Sequence, residues 1–194
     1  MRVWACNVLP LSGVAGTQET LFKQDYGGHI GVIQQAHRHV HDGTMFHASV
    51  RAAVSGVGEY ARIAINPPTT HRVHLLANSD CSEVAEFKVL SGVTLTGGAT
   101  VTPEGLNQSS SNTSSIAAGN VKTGATGGTA LTYTGGSELS GHYLTSGRRA
   151  GGIDSWGHEW VLEESVWTVL ELVSLTSQAN YLNMLLYWYE TPSS

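Results

Sequence analysis

VWTVLELVSL (Val166–Leu175) and YLNMLLYWYE (Tyr181–Glu190) decide the reading of this chain. Both runs are long, apolar and rich in β-branched or aromatic residues, which fit a pleated surface. Ser177-Gln178-Ala179-Asn180 between them supplies a turn. In the second run Leu182, Met184, Leu186 and Trp188 fall on one face, and Tyr181, Leu185, Tyr187 and Tyr189 on the other, with Asn183 among them. Successive strand side chains alternate faces, so one stripe belongs to a core. The second stripe then meets another sheet or another subunit, since a tyrosine ring suits a boundary with a partner. Tyr181, Tyr187 and Tyr189 are therefore candidate interface residues.

Upstream the same alternation recurs at roughly ten-residue spacing. Phe46, Ala48, Val50, Ala52 and Val54 share a face; so do Ala61, Ile63 and Ile65; then Val73, Leu75 and Ala77; then Ala85, Phe87 and Val89. Gly56 and Gly58, Asn66-Pro67-Pro68-Thr69 and Asn78-Ser79-Asp80 punctuate these runs. Proline cannot donate to a ladder, so it stops a strand. Short strands with regular turns predict an all-β protein, an antiparallel β-sandwich of jelly-roll-like type over residues 44–194. No amphipathic helix of useful length is visible.

Two stretches break the rhythm. Residues 1–43 carry Gly13, Gly16, Gly27, Gly28 and Gly31 with few apolar runs, and read as an extended N-terminal arm. Residues 91–152 form a Gly/Ser/Thr-rich insertion in which Ala130–Thr134 is a single possible strand. Such sequence buries too little apolar area to order itself, so it is expected to be mobile loop or a surface laid against a neighbour.

The composition excludes several classes. The 194 residues are 13% charged, about half the usual share, with 23 glycines and a net charge of −5. Phosphate binding needs clustered Lys and Arg, so nucleic acid is not an expected partner. The apolar stretch 166–189 contains Glu171, Gln178, Asn180 and Asn183, which lipid would leave unpaired, so no membrane contact is expected. Asn7 and Pro10 interrupt the first residues, which do not read as a signal peptide. Cys6 and Cys81 are expected to be free thiols of a reducing cytoplasm.

His37, His39 and His41 would project to one side of an extended strand, with Asp42 following. Imidazole and carboxylate are zinc ligands, but this spacing is not a zinc signature, and an exposed or interface role is the simpler one. Arg148-Arg149 is the only basic pair and reads as a loop that faces solvent or a partner. No Gly-x-Ser-x-Gly elbow and no phosphate loop occurs. Glu163-Glu164 would point to opposite faces of a strand and make a poor acid/base pair. No catalytic residue, cofactor or metal is therefore expected. Trp156 and Trp160 beside His158 and Glu159 offer the alternative of a carbohydrate-binding module.

The order of motifs carries a resemblance. His39-x-His41-Asp42-Gly43-x-x-Phe46 enters a strand, and Thr69-Thr70-His71 leads into Val73-His74-Leu75. Gly127-Gly128-Thr129, an arginine-containing glycine loop at 147–152 and a closing Leu185-x-Tyr187-Trp188-Tyr189-Glu190 follow. Over residues 39–190 the chain resembles small structural proteins of tailed-bacteriophage virions with a jelly-roll or β-sandwich domain. The resemblance implies a head decoration (cement) protein on the capsid surface, assembled in the host cytoplasm. Its implied partners are the major capsid protein and copies of itself in a homotrimer. A tail or fibre position is the related alternative.

Overall fold

The structure, a computed structural model, describes residues 22–24, 30–32, 35–145 and 159–193. Residues 1–35 and 36–194 form two compact units. In the first, β1 (Phe22–Gln24) and β2 (Ile30–Val32) pair as an antiparallel hairpin. Helix α1 (Gln35–His41) leads into the second unit.

That unit contains β3 (Met45–Val54), β4 (Tyr60–Ile65), β5 (His71–Cys81), β6 (Ala85–Gly97), β7 (Ala99–Thr100) and β8 (Glu104–Gly105). These are followed by β9 (Val121–Ala125), β10 (Leu131–Leu144), β11 (Trp160–Leu162), β12 (Thr168–Ser174) and β13 (Asn180–Pro192). One sheet runs β10-β6-β12-β4-β9-β7 and the other β11-β5-β13-β3-β8, with every pairing antiparallel. Consecutive long strands cross from one sheet to the other, as β3-β4-β5-β6 and β12-β13 do. That crossing makes the sandwich jelly-roll-like.

The alternation in the sequence places the core. Phe46, Ile63, Leu75, Phe87, Leu170, Leu172, Leu182, Met184, Leu186 and Trp188 join one buried cluster between the sheets. Trp188 is fully buried and tilts against Phe46 with ring centroids 6.2 Å apart. Burying each such Leu side chain contributes roughly 1.5–3 kcal/mol. β5 does not turn at Asn78–Asp80, where the sequence predicts a break. It runs to Cys81 because β13 pairs with it over its full length, from Leu182↔Cys81 to Pro192↔His71. Cys81 is a free thiol; burial first, then nearby Asp80, pushes its pKa up. No helix among the described residues is long and apolar enough to cross a membrane.

The described part of 91–152 holds more strand than the single one expected at Ala130–Thr134: β9 lies in it, and β10 pairs with β6 in a long ribbon that starts at Ala85. Gly92 and Gly136 both have positive φ (+76° and +90°), and the register shifts nearby, between Glu138 and Ser140. Beyond these glycines the ribbon lies on the outer face of its own sheet. There Val93 and Leu131 pack with Ala64 and Val169, flanked by Leu95, Tyr133 and Trp167. A Cβ at Gly136 would sit 2.6 Å from Val93 Cγ1, so this turn of the ribbon requires glycine. Few apolar residues suffice here because the ribbon borrows a prebuilt apolar face.

Candidate functional site

A set of polar contacts outside the ladders surrounds α1. The spacing reading placed His37, His39 and His41 on one side of a strand; they lie instead in a helix. Residues two apart on a helix do not share a face, so His39 and His41 are not one row. Arg38 pairs with Asp42 at 3.3 Å across one turn. Gly43, at φ +70°, ends the helix, with its N–H donating to the Val40 carbonyl at 3.1 Å. Seven residues are too few to hold a helix alone. Its anchor is His39. Among the described residues no cluster of three metal-ligating side chains occurs.

The His39 ring stacks on Tyr189 with centroids 4.1 Å apart and planes 12° from parallel. His74 stacks on the same tyrosine at 4.5 Å and 8°, so the phenol lies between two imidazoles. The Tyr189 hydroxyl donates to Glu159 Oε1 at 2.9 Å, and His74 Nδ1 lies 2.5 Å from that oxygen. A carboxylate only accepts, so His74 carries its proton on Nδ1. His39 Nδ1 meets Thr44 Oγ1 at 2.8 Å. Burial lowers the pKa of His39, opposed by the charge of Asp42. Burial, reinforced by the Glu159 hydrogen bond and charge, raises that of Tyr189. The phenol is a structural donor, with no proton to exchange near neutrality.

Tyr189 is 1% exposed, so this chain covers it and leaves no ring for a partner. The proposed tyrosine stripe therefore divides. Tyr181 is 67% exposed, Tyr187 is half-buried beside His47, and Tyr189 is enclosed. His41 is exposed. Arg148 and Arg149 lie outside the described residues, as do Trp156, His158 and the His37 side chain. Trp160 is half-buried against the core, and Glu159, though exposed, is engaged by Tyr189 and His74.

On the inner side of the same end, Glu190 organises the Ser/Asn-rich segment. Its Oε1 accepts from Trp188 Nε1 at 3.0 Å and from Ser114 Oγ at 2.5 Å; its Oε2 accepts from the Ser115 N–H at 2.8 Å. Asn107 Nδ2 and Asn112 Nδ2 donate to the carbonyls of His41 and Asp42, each at 3.0 Å. Ile116, 2% exposed, plugs the segment into the core. The result is an open groove of about 540 Å³ lined by residues 111–115, Thr44, Phe46, His71, Glu190 and Pro192. The sequence hints at it only through Ile116, a lone large apolar residue in a polar run.

A second buried polar cluster sits on the outer face of the other sheet. Arg62 pairs with Glu171, donates from Nη1 to the Leu131 carbonyl at 2.7 Å, and lies 3.5 Å over the Tyr60 ring. The Tyr133 hydroxyl donates to Glu171 Oε1 at 3.0 Å, and burial with the Glu171 charge pushes its pKa up to about 12. These groups fasten the ribbon.

No protein-family model, curated protein or solved structure matches this chain. What fold and sites define together is a class: a jelly-roll-like β-sandwich whose buried polar clusters serve as anchors for α1, the Ser/Asn segment and the ribbon.

Proposed function

We propose that this chain is a structural virion protein, a decoration subunit that stabilises a tailed-phage head by bridging major capsid subunits. The observation that carries this reading is the outer half of β10. Residues 134–143 are all exposed except Ser140, and Glu138 is the only charged residue in the strand. Leu139 at 51% and Tyr143 at 70% stand out from it. A nearly neutral, apolar-studded strand edge invites burial by another protein. Exposed Tyr181 adds a second contact surface.

In this reading the mechanism is mechanical. Each copy adds interface that the bare shell lacks, and about 1,600 Å² is enough for specific binding. Three linked copies would raise the effective concentration at each site. The reading requires no bond-making step, no cofactor and no nucleic acid, and it places the protein on the capsid surface. Cosedimentation with expanded heads tests it. Saturable binding that Leu139→Lys and Tyr143→Lys weaken supports the reading; a protein that stays in the supernatant refutes it. Light scattering on the free protein checks the homotrimer.

A further inference from the structure

We propose that the groove beside Glu190 binds a neutral saccharide. This goes beyond the capsid reading and does not depend on it. The lining selects the ligand class. No Lys or Arg lines the groove, and a single imidazole, His71, faces one carboxylate, Glu190, so the lining does not favour a strongly charged anion. Both oxygens of Glu190, its one carboxylate, are engaged by Trp188, Ser114 and Ser115, so it does not serve as an open cation ligand. What remains is hydroxyl and amide. Ser111 and Thr113 are exposed in the lining, and their hydroxyls meet no partner among the described residues. These hydroxyls face the open groove, where a ligand hydroxyl can take the place of water.

Hydroxyls both donate and accept, so a row of them suits a ligand that does the same around a ring. Pro192 and the edge of Phe46 supply an apolar wall for the C–H face of such a ring. About 540 Å³ lies within the range of small-molecule sites, and is room for a mono- or disaccharide. The segment is also preorganised. Asn112 holds the Asp42 carbonyl, and Ser110 Oγ accepts from the Asn112 N–H at 3.1 Å, so little ordering is left for binding to impose.

The test begins with the full chain on a glycan array. It continues with titration of ¹⁵N-labelled protein with the best neutral array ligand, or with maltose, lactose and diacetylchitobiose if the array singles out none. The expected result is saturable shifts confined to residues 111–115, Thr44 and His71, with a dissociation constant on the order of 1 mM or tighter. Thr113→Trp, at an exposed position, should fill the groove and weaken binding by at least ~10-fold. Ser111→Trp is the second blocking variant, and the dispersion of the spectrum reports that each is folded. Absence of saturation with every saccharide overturns the proposal. So do folded variants that bind as well as wild type, or inorganic phosphate or tetraglycine shifting the same amides. Capsid binding should be unchanged in Thr113→Trp, so failure here is distinguishable from failure of the decoration reading.

Discussion

β13 and β10 are strands of nearly equal length, 13 and 14 residues, held by opposite means. β13 is paired on both sides, with β3 and β5, and Leu182, Met184, Leu186 and Trp188 are all buried beneath it. Among the described residues β10 is paired on one side only, with β6, and most of its outer half is exposed. Leu131, Tyr133 and Leu144 tie its ends to apolar neighbours, and His142 packs against the Phe87 ring at 5.0 Å. The difference teaches that order does not require a strand to carry its own hydrophobic stripe. A weak strand is ordered when a strong one next to it has already built a surface, and when a few polar anchors fix the register.

Breaking β13 should have the largest effect. Trp188→Ala is expected to destabilise the protein by about 3–5 kcal/mol through loss of a buried indole. It also removes a donor to Glu190. A large fall in the urea midpoint measures this, and an unchanged midpoint would mean the core is not where the burial places it.

Breaking the polar anchor of β10 comes next. Glu171→Ala leaves Arg62 buried without its carboxylate, which should destabilise by about 3 kcal/mol. Replacing both residues with Leu should recover most of that loss, because a buried pair contributes little beyond an apolar isostere. If the double variant remains as weak as the single one, the pair has a role beyond mutual neutralisation.

The ribbon itself can then be loosened. Gly136→Ala forces a side chain into a left-handed turn against Val93, at roughly 1–3 kcal/mol. Hydrogen exchange should accelerate at 131–135 before it does in β13. Uniform acceleration would show that ribbon and sandwich open as one unit. Glu190→Ala should cost about 2 kcal/mol by leaving the Trp188 N–H and the Ser115 amide unsatisfied. Proteolysis should then begin within residues 107–115.

The smallest effect concerns pH. Burial lowers the His39 pKa in the folded chain, so the unfolded chain takes up the proton first. His39 thus favours folding less as pH falls through its usual 6.5 toward the folded value, and the term is flat above it. His39→Phe keeps a ring on Tyr189 but cannot titrate. Its melting temperature should therefore fall less than that of wild type between pH 7.5 and 5. Equal falls would place the sensitivity in other groups.

The residues explain what could be read in advance. Where a strand has one buried face, as in Met45–Val54 or Ala85–Val89, the period of two marks it whatever its partners are. Glu171 and Glu190 each look like surface carboxylates, because the guanidinium of Arg62 lies 109 residues away and the Ser114 hydroxyl 76. His37-x-His39-x-His41 was ambiguous for a related reason. The same spacing is a one-sided row on a strand and a divided one on a helix, and the choice depends on Tyr189.

By itself the amino-acid order determined the class of fold, the inward stripe of each major strand and the breaks at Pro67 and Pro68. These depend on neighbours within a few positions, where alternation and ring closure act directly. The tertiary structure alone decided that residues 121–125 are a strand, that the strand suggested at 130–134 continues to Leu144, that α1 is a helix, and that Tyr189 faces two imidazoles instead of a partner. Each of those rests on a surface or a charge supplied from far along the chain, which local preference does not encode.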